Sequence, residues 1–128
     1  MKKASNKQYI AVILASIWIS LSEFIRNEFF LKNYWINHYE LLGLQFETLA
    51  INGVLWFVWS ILLAIFLYKL LQKYTLKEVL FLSWIPVFLM MWITVFNLQV
   101  LPLALLLFAI PLSMLELYLA ILIIRSLK

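Results

Sequence analysis

The chain has 128 residues, of which 66% are hydrophobic and only 12% are charged, with a formal net charge of +4 and a mean hydropathy of +1.02. A soluble domain of this length leaves much of its surface in water and cannot cover so much apolar area. The composition therefore excludes a soluble globular domain and predicts an all-α integral membrane protein. Because cysteine is absent, disulfides, thiolate metal sites and a thiol nucleophile are excluded as well.

Four apolar stretches are long enough to cross the hydrocarbon core as helices, which takes about 20 residues each. Their periodicity is helical, and in lipid a helix satisfies its own backbone hydrogen bonds. The predicted spans cover residues 9–25, 49–68, 79–98 and 103–124. A basic loop at 69–78 and a tight turn at 97–102 join the last three spans. Such short connections predict a single domain, residues 1–128, folded as a compact antiparallel bundle of four transmembrane helices.

The basic residues are distributed unevenly between the two sides of the predicted bundle. Only Arg26 and Lys32 fall on one side, and eight fall on the other: Lys2, Lys3, Lys7, Lys69, Lys73, Lys77, Arg125 and Lys128. Because basic loops stay in the cytoplasm, we expect both termini there, in a plasma or inner membrane. We expect the first span to be uncleaved, since no A-x-A-like site follows the Met-Lys-Lys start. The positive charge then reflects contact with anionic lipid headgroups, and no nucleic-acid partner is predicted.

Each span carries a stripe of polar or small residues at helical spacing, which is typical of a bundle with a partly polar interior. The stripe of the first span contains Ser16, Ser20, Glu23 and Asn27. The stripes of the other spans contain Asn52, Trp56, Trp59 and Ser60, then Ser83, Thr94 and Asn97, and finally Ser113 and Glu116. Inside membranes, serine, threonine and asparagine most often bond to a neighbouring helix or to their own backbone. We therefore expect the serines to stabilise the bundle.

Glu116 lies near the middle of the fourth span, with apolar residues for at least one turn on both sides. A charged side chain at such depth costs about 2.5–3.5 kcal/mol on insertion scales, so we expect Glu116 to face the interior, largely as the neutral acid. The functional interpretation makes Glu116 the centre of a binding site. The alternative is a protonated glutamate bonded to Ser20 or to a carbonyl freed by Pro111. Glu23 and Arg26, at i,i+3 spacing, predict an ion pair at the outer end of the first span.

The depths of these side chains predict a polar pocket that opens on the outer side and is closed by apolar packing toward the cytoplasm. Glu116 lies toward its floor, and tryptophan side chains supply walls suited to an organic cation through cation–π attraction. The candidate ligand-binding or proton-coupling residues are Glu116, Glu23, Arg26, Asn27, Asn52, Trp56, Trp59, Thr94 and Asn97.

Residues 28–47 are too polar to span a membrane and too aromatic for a plain loop. Their periodicity predicts an amphipathic helix that lies in the outer interface, between the first two spans, and that ends at Gly43. A sharper interpretation makes this segment a lid over the pocket. His38 is the only histidine and, with Glu40, supplies at most two metal ligands, so neither a metal site nor a cofactor is predicted.

Four spans in so short a chain, with a carboxylate in the first, resemble the architecture of the small multidrug resistance transporters. The transporters place the acid near the middle of the first span and have glycine-rich helix contacts, whereas Glu23 lies toward the outer end and this chain has 2 glycines. The resemblance is therefore limited to architecture, and no residue role is carried over.

Two classes of function fit these features. The first is a small polytopic membrane protein that binds or transports a small cationic or amphipathic ligand through the outer pocket, as a homo-oligomer because four helices enclose little volume. The second is a non-catalytic membrane subunit or scaffold whose polar helix faces serve packing and assembly with a partner. An enzyme acting on lipid ranks third, because a single histidine and no convincing nucleophile leave little chemistry. We favour the first class.

Overall fold

The computed structural model describes residues 5–46 and 49–127, and every regular element in that part of the chain is helical. The helices are α1 (Asn6–Ile25), α2 (Lys32–Leu41), α3 (Ala50–Leu70), α4 (Leu76–Trp84), α5 (Met90–Asn97) and α6 (Leu106–Leu127). A π-helical turn at Arg26–Phe30 extends α1, a second one at Ile85–Leu89 joins α4 to α5, and a 3₁₀ turn at Leu103–Leu105 precedes α6.

Within the described residues, four continuous helical segments are long and apolar enough to cross a membrane: Asn6–Phe30, Ala50–Leu70, Leu76–Asn97 and Leu103–Leu127. The predicted all-helical architecture with four such segments is therefore confirmed. Each segment covers most of one predicted span, and the differences lie at the ends. Three of the basic residues in the charge count, Lys2, Lys3 and Lys128, lie outside the described residues.

The third segment begins earlier than predicted because its first turn is capped. We expected the loop to reach residue 78, but α4 already begins at Leu76. Glu78 accepts a hydrogen bond from the backbone N–H of Thr75 at 2.8 Å, and the Thr75 hydroxyl oxygen accepts one from the N–H of Glu78 at 3.4 Å. This reciprocal pair is a capping box, which satisfies two backbone donors at the exposed start of a helix.

Small side chains allow the long helices to pack closely. Helix α1 packs against both α3 and α6, and α6 also packs against α4. Alanines at these contacts are almost completely buried, namely Ala11, Ala15, Ala64, Ala109 and Ala120. Such small residues let helix backbones approach closely and gain dispersion energy.

Four buried serines bond to their own helix, as we expected of serines in a membrane. The hydroxyls of Ser16, Ser60 and Ser83 donate to the carbonyl four residues earlier at 2.7, 2.8 and 2.7 Å. Ser113 donates to the Ile110 carbonyl at 2.8 Å. Ser20 differs, because its buried hydroxyl oxygen has no partner among the described residues.

The two π-helical turns interrupt regular α-helical bonding at identifiable places. In the first, the N–H of Leu31 donates to the carbonyl of Arg26 at 2.9 Å, which is an i to i+5 bond. The second contains Pro86, whose ring nitrogen has no hydrogen to continue the α-helical ladder. Pro111 also lies inside a helical segment, yet α6 continues as α-helix through it. Wide turns of this kind occur often at functional sites.

Part of residues 28–47 forms the predicted helix, α2. It ends at Leu41, and Gly43 follows with φ +72°, a left-handed conformation that glycine adopts without a steric penalty. The N–H of Leu44 donates to the Tyr39 carbonyl at 2.9 Å and closes the turn. Residues 47 and 48 lie outside the described residues.

Candidate functional site: a buried carboxylate–arginine cluster

Three ionisable side chains meet between α1 and α6. Glu23 lies in the last turn of α1, Arg26 begins the π-helical turn that follows, and Glu116 lies in the middle of α6. The Glu23 Oε1 and Arg26 Nη2 atoms are 2.5 Å apart, and the Arg26 Nη1 and Glu116 Oε2 atoms are 3.9 Å apart. Arg26 therefore forms the predicted ion pair with Glu23 and also extends to the acid of the fourth span.

The cluster is enclosed by the protein. The exposed fractions of Glu23, Arg26 and Glu116 are 4, 6 and 1%. Charged residues are almost never buried to this extent unless they are paired, and inside a membrane segment they mark functional sites by default. Two carboxyl groups here share one guanidinium, so the pairing is incomplete by one positive charge.

The polar atoms of the cluster have hydrogen-bonding capacity that the described residues do not use. The Glu23 and Glu116 carboxyls both lie beside the Arg26 guanidinium. Neither oxygen of Glu116, however, has a hydrogen-bond partner of good geometry among the described residues, and the same holds for Arg26 Nη1. We expected Ser20 or a carbonyl freed by Pro111 as the partner of Glu116, but the described residues show neither hydrogen bond. Buried polar atoms without partners are rare in proteins and call for an explanation.

An aromatic ring also lies against the guanidinium. The Arg26 Cζ atom lies 5.3 Å from the centroid of the Phe88 ring, which is completely buried in the second π-helical turn. The Trp59 ring packs edge-on against Phe88 with centroids 6.1 Å apart, and Trp56 packs edge-on against Trp59 at 5.4 Å. The cation is thus held by α1 and by the turn between α4 and α5, through a ring that the sequence analysis did not select.

Asn27 connects the cluster to α2. Its Nδ2 atom donates to Glu23 Oε2 at 3.2 Å and to the Glu23 carbonyl at 3.1 Å. Its Oδ1 atom accepts a hydrogen bond from the indole N–H of Trp35 at 3.3 Å. Helix α2 is therefore bonded to the cluster through a single amide side chain. At the other end of α2, His38 Nε2 lies 2.8 Å from the carbonyl oxygen of Gln99, in the turn before α6.

Two further tryptophans fasten the helices around Glu116. The indole N–H of Trp18 donates to the backbone carbonyl of Glu116 at 3.0 Å, and that of Trp84 donates to the Ser113 hydroxyl at 2.9 Å. The sequence analysis missed both contacts. The sequence offers only a general reason to expect these hydrogen bonds. A buried indole needs an acceptor for its N–H, and polar residues inside the spans supply one.

The other predicted site residues are less buried than the charged centre. Trp56 is 42% exposed, and the contacts described for it lead to Trp59 and not to a charged group. Thr94 is exposed, and its hydroxyl donates to the carbonyl of Met90 in the same helix at 2.9 Å. Asn97 is exposed at the end of α5, and Asn52 is half-buried near the start of α3. The structure therefore brings together Glu23, Arg26, Asn27 and Glu116, with Trp59 behind Phe88.

The described residues contain no group of three or more side chains able to hold a metal ion. The chemistry that the cluster offers is thus acid–base and electrostatic: two carboxyls, one fixed cation and an aromatic ring. No protein-family model matches this chain, and no curated protein and no solved structure matches it.

Proposed function

We propose that this chain is a polytopic membrane protein that binds a small monovalent cationic or amphipathic ligand at the Glu23–Arg26–Glu116 cluster and exchanges it for a proton. The single observation that supports the proposal is the charge composition of a buried site: two carboxyls against one guanidinium. Such a site is neutral only with one added positive charge. Either a proton or a cationic ligand supplies it, and each excludes the other because an unbalanced buried charge is costly.

The proposal includes a membrane setting. We propose that the four long helices alternate in direction, with both termini in the cytoplasm of a plasma or inner membrane, because basic residues concentrate on that side. Side chains on a helix tilt toward its N-terminus. In antiparallel helices the side chains of Glu23 and Arg26 would then lean toward the cytoplasm, and that of Glu116 toward the outer side. This supports their close approach, although their positions along the helices place them at different depths.

We also propose that α2 lies in the outer interface and covers the ligand path. The cluster is closed within the described structure, so a ligand requires an opening. The hydrogen bonds of Trp35 to Asn27 and of Asn27 to Glu23 make α2 sensitive to the state of the cluster. A cation that pairs with Glu23 competes for the carboxylate oxygen that Asn27 now contacts. The walls of a single four-helix unit enclose little volume, which favours a homo-oligomer.

A scaffold or non-catalytic membrane subunit is the second candidate. The observation in its favour is that Ser16, Ser60, Ser83 and Ser113 are satisfied by their own helices and so serve packing. In that case the cluster only joins α1 to α6, and a proton on one carboxyl makes it permanently neutral.

The two candidates differ in what Glu116→Gln does. The purified protein is titrated with tetraphenylphosphonium, a lipophilic monovalent cation, from about pH 5 to pH 9, with unfolding temperature and bound cation as readouts. If proton and cation compete, the wild type binds more tightly as pH rises, and Glu116→Gln removes this dependence while the protein still folds. A scaffold shows no cation binding, Glu116→Gln is nearly silent, and Glu116→Leu is tolerated or even stabilising.

Ser113→Ala is the matched control, because Ser113 lies one turn from Glu116 on the same face and carries no charge. It should leave the pH dependence of cation binding unchanged. An unchanged pH dependence in Glu116→Gln would instead rule out exchange at this cluster.

A further inference from the structure

A basic depression lies where the loop after α3, the start of α4 and the end of α6 meet. It has a volume of about 620 Å³ and is lined by Leu71, Tyr74, Thr75, Leu76, Lys77 and Arg125. Lys77 and Arg125 come from distant parts of the chain, and both are exposed. Among the described residues, no acidic side chain and no member of the carboxylate–arginine cluster lines this depression.

The two cations have no counter-charge in the described part of the chain. Neither Lys77 nor Arg125 takes part in an ion pair there, whereas Arg26 and Lys32 both do. Glu78 is the nearest acid in sequence, but its carboxylate already accepts hydrogen bonds from the backbone N–H and hydroxyl of Thr75, both at 2.8 Å. The acid that would otherwise neutralise Lys77 is thus engaged in the capping box.

An apolar depression adjoins the basic one. It has a volume of about 520 Å³ and shares Tyr74 and Lys77 with its neighbour, and it continues along α4 past Glu78, Phe81 and Leu82. The side chains of Phe81 and Leu82 are 51 and 45% exposed. A ligand that fits both depressions therefore carries a negative group at one end and an apolar chain at the other.

We propose that Lys77 and Arg125 form a binding site for the phosphate of an anionic phospholipid, whose acyl chain lies over Phe81 and Leu82. Charge complementarity favours an anionic headgroup, since basic residues at a membrane surface attract such lipids. Arginine and lysine are also the side chains that bind phosphate most effectively. The adjoining apolar surface favours a lipid over a soluble phosphate ester. The inference depends on the proposed membrane setting but not on cation exchange.

The test compares two double variants with the same loss of charge in the full-length protein. K77Q with R125Q removes both cations that line the depression. K69Q with K73Q removes two nearby cations that do not line it, one in the last turn of α3 and one in the loop that follows. Binding of short-chain phosphatidylglycerol and phosphatidylcholine is measured by native mass spectrometry, with glycerol 3-phosphate as a soluble source of the same phosphate chemistry.

The wild type and K69Q/K73Q should both prefer phosphatidylglycerol. Each basic residue near a surface contributes about fivefold to binding of an anionic lipid, so K77Q/R125Q should weaken phosphatidylglycerol binding roughly 30-fold. R125K keeps the positive charge and should retain most of the binding. That result would show that K77Q/R125Q binds less lipid because it has lost charge and not because it misfolds. Cation binding at the Glu116 cluster should stay unchanged in all of these variants.

Two results would overturn the lipid site. An equal loss in K69Q/K73Q would mean that diffuse loop charge, and not a defined site, attracts the lipid. If the wild type bound glycerol 3-phosphate as tightly as phosphatidylglycerol, the depression would bind soluble phosphate without using its apolar half.

Discussion

The guanidinium of Arg26 lies 5.3 Å from the ring centroid of Phe88, and it also contacts the carboxyl of Glu23. Arg26 and Phe88 each belong to a π-helical turn: Arg26 to the one after α1, and Phe88 to the one between α4 and α5. A widened turn changes the direction of a side chain relative to a regular helix, so the two interruptions together place the cation on the ring. This relationship makes Phe88 a test of how the cluster is held.

Phe88→Leu should lower the free energy of unfolding in detergent by about 2–4 kcal/mol. The loss combines a cation–π contact of about 1–2 kcal/mol with the cavity left by a smaller side chain. Chemical unfolding followed by circular dichroism measures it. In a double-mutant cycle with Arg26→Gln the losses should be less than additive, because both changes remove the same contact. Additive losses would show that Phe88 acts only through packing.

Removal of the Arg26 cation should lower the free energy of unfolding more than removal of the Glu23 carboxylate, its closer partner. Arg26→Gln leaves two buried carboxyls without a counter-charge, and we expect a loss of about 3–5 kcal/mol. Glu23→Gln leaves Arg26 with Glu116 at 3.9 Å, and we expect only about 1–3 kcal/mol. The double variant Glu23→Gln, Arg26→Gln should recover part of the loss. Equal single losses that add in the double variant would contradict a shared cation.

Trp35→Phe should loosen α2 without unfolding the protein. The change removes the indole N–H that donates to Asn27 and keeps an aromatic ring for the stack on Phe46, whose centroid lies 6.1 Å away. Backbone amides of α2 should then exchange hydrogen faster, and tetraphenylphosphonium should bind faster. Tyr39→Phe is the control, since it keeps the ring contacts of Tyr39 with Trp35 and Phe46. Unchanged exchange and binding rates in Trp35→Phe would exclude a lid fastened by this bond.

The charge distribution predicts the topology, and reporter fusions test it. Fusions after Leu44 and after Lys128 should report opposite sides of the membrane, with the second in the cytoplasm. Reports from the same side would mean that one of the four long helices does not cross. Substitution of Lys69 and Lys73 by glutamine should weaken the preference for this orientation without reversing it, because other basic residues remain on the cytoplasmic side.

Sequence alone determined the helical segments and several of their ends. The length and continuity of the apolar stretches predict four spans, and the structure has four helical segments that match them. Local chemistry also explains Gly43 at the end of α2. The spacing of Glu23 and Arg26 predicts their ion pair, because residues three apart are neighbours on any helix whatever surrounds it. Contacts of this kind depend only on nearby residues.

Only the tertiary structure decided which polar residues meet. Thr94 and Asn97 lie on a stripe as regular as that of Glu23, yet they are exposed and stay outside the cluster. Phe88 has apolar neighbours in the sequence, and nothing there distinguishes it as a contact of Arg26. Arg26 and Glu116 form their contact although they are 90 residues apart in the sequence. The rotation of each helix about its axis and its offset along its neighbours depend on the packing of every contacting side chain. A periodic pattern within one helix determines which residues share a face, but the face that meets Glu116 depends on long-range packing.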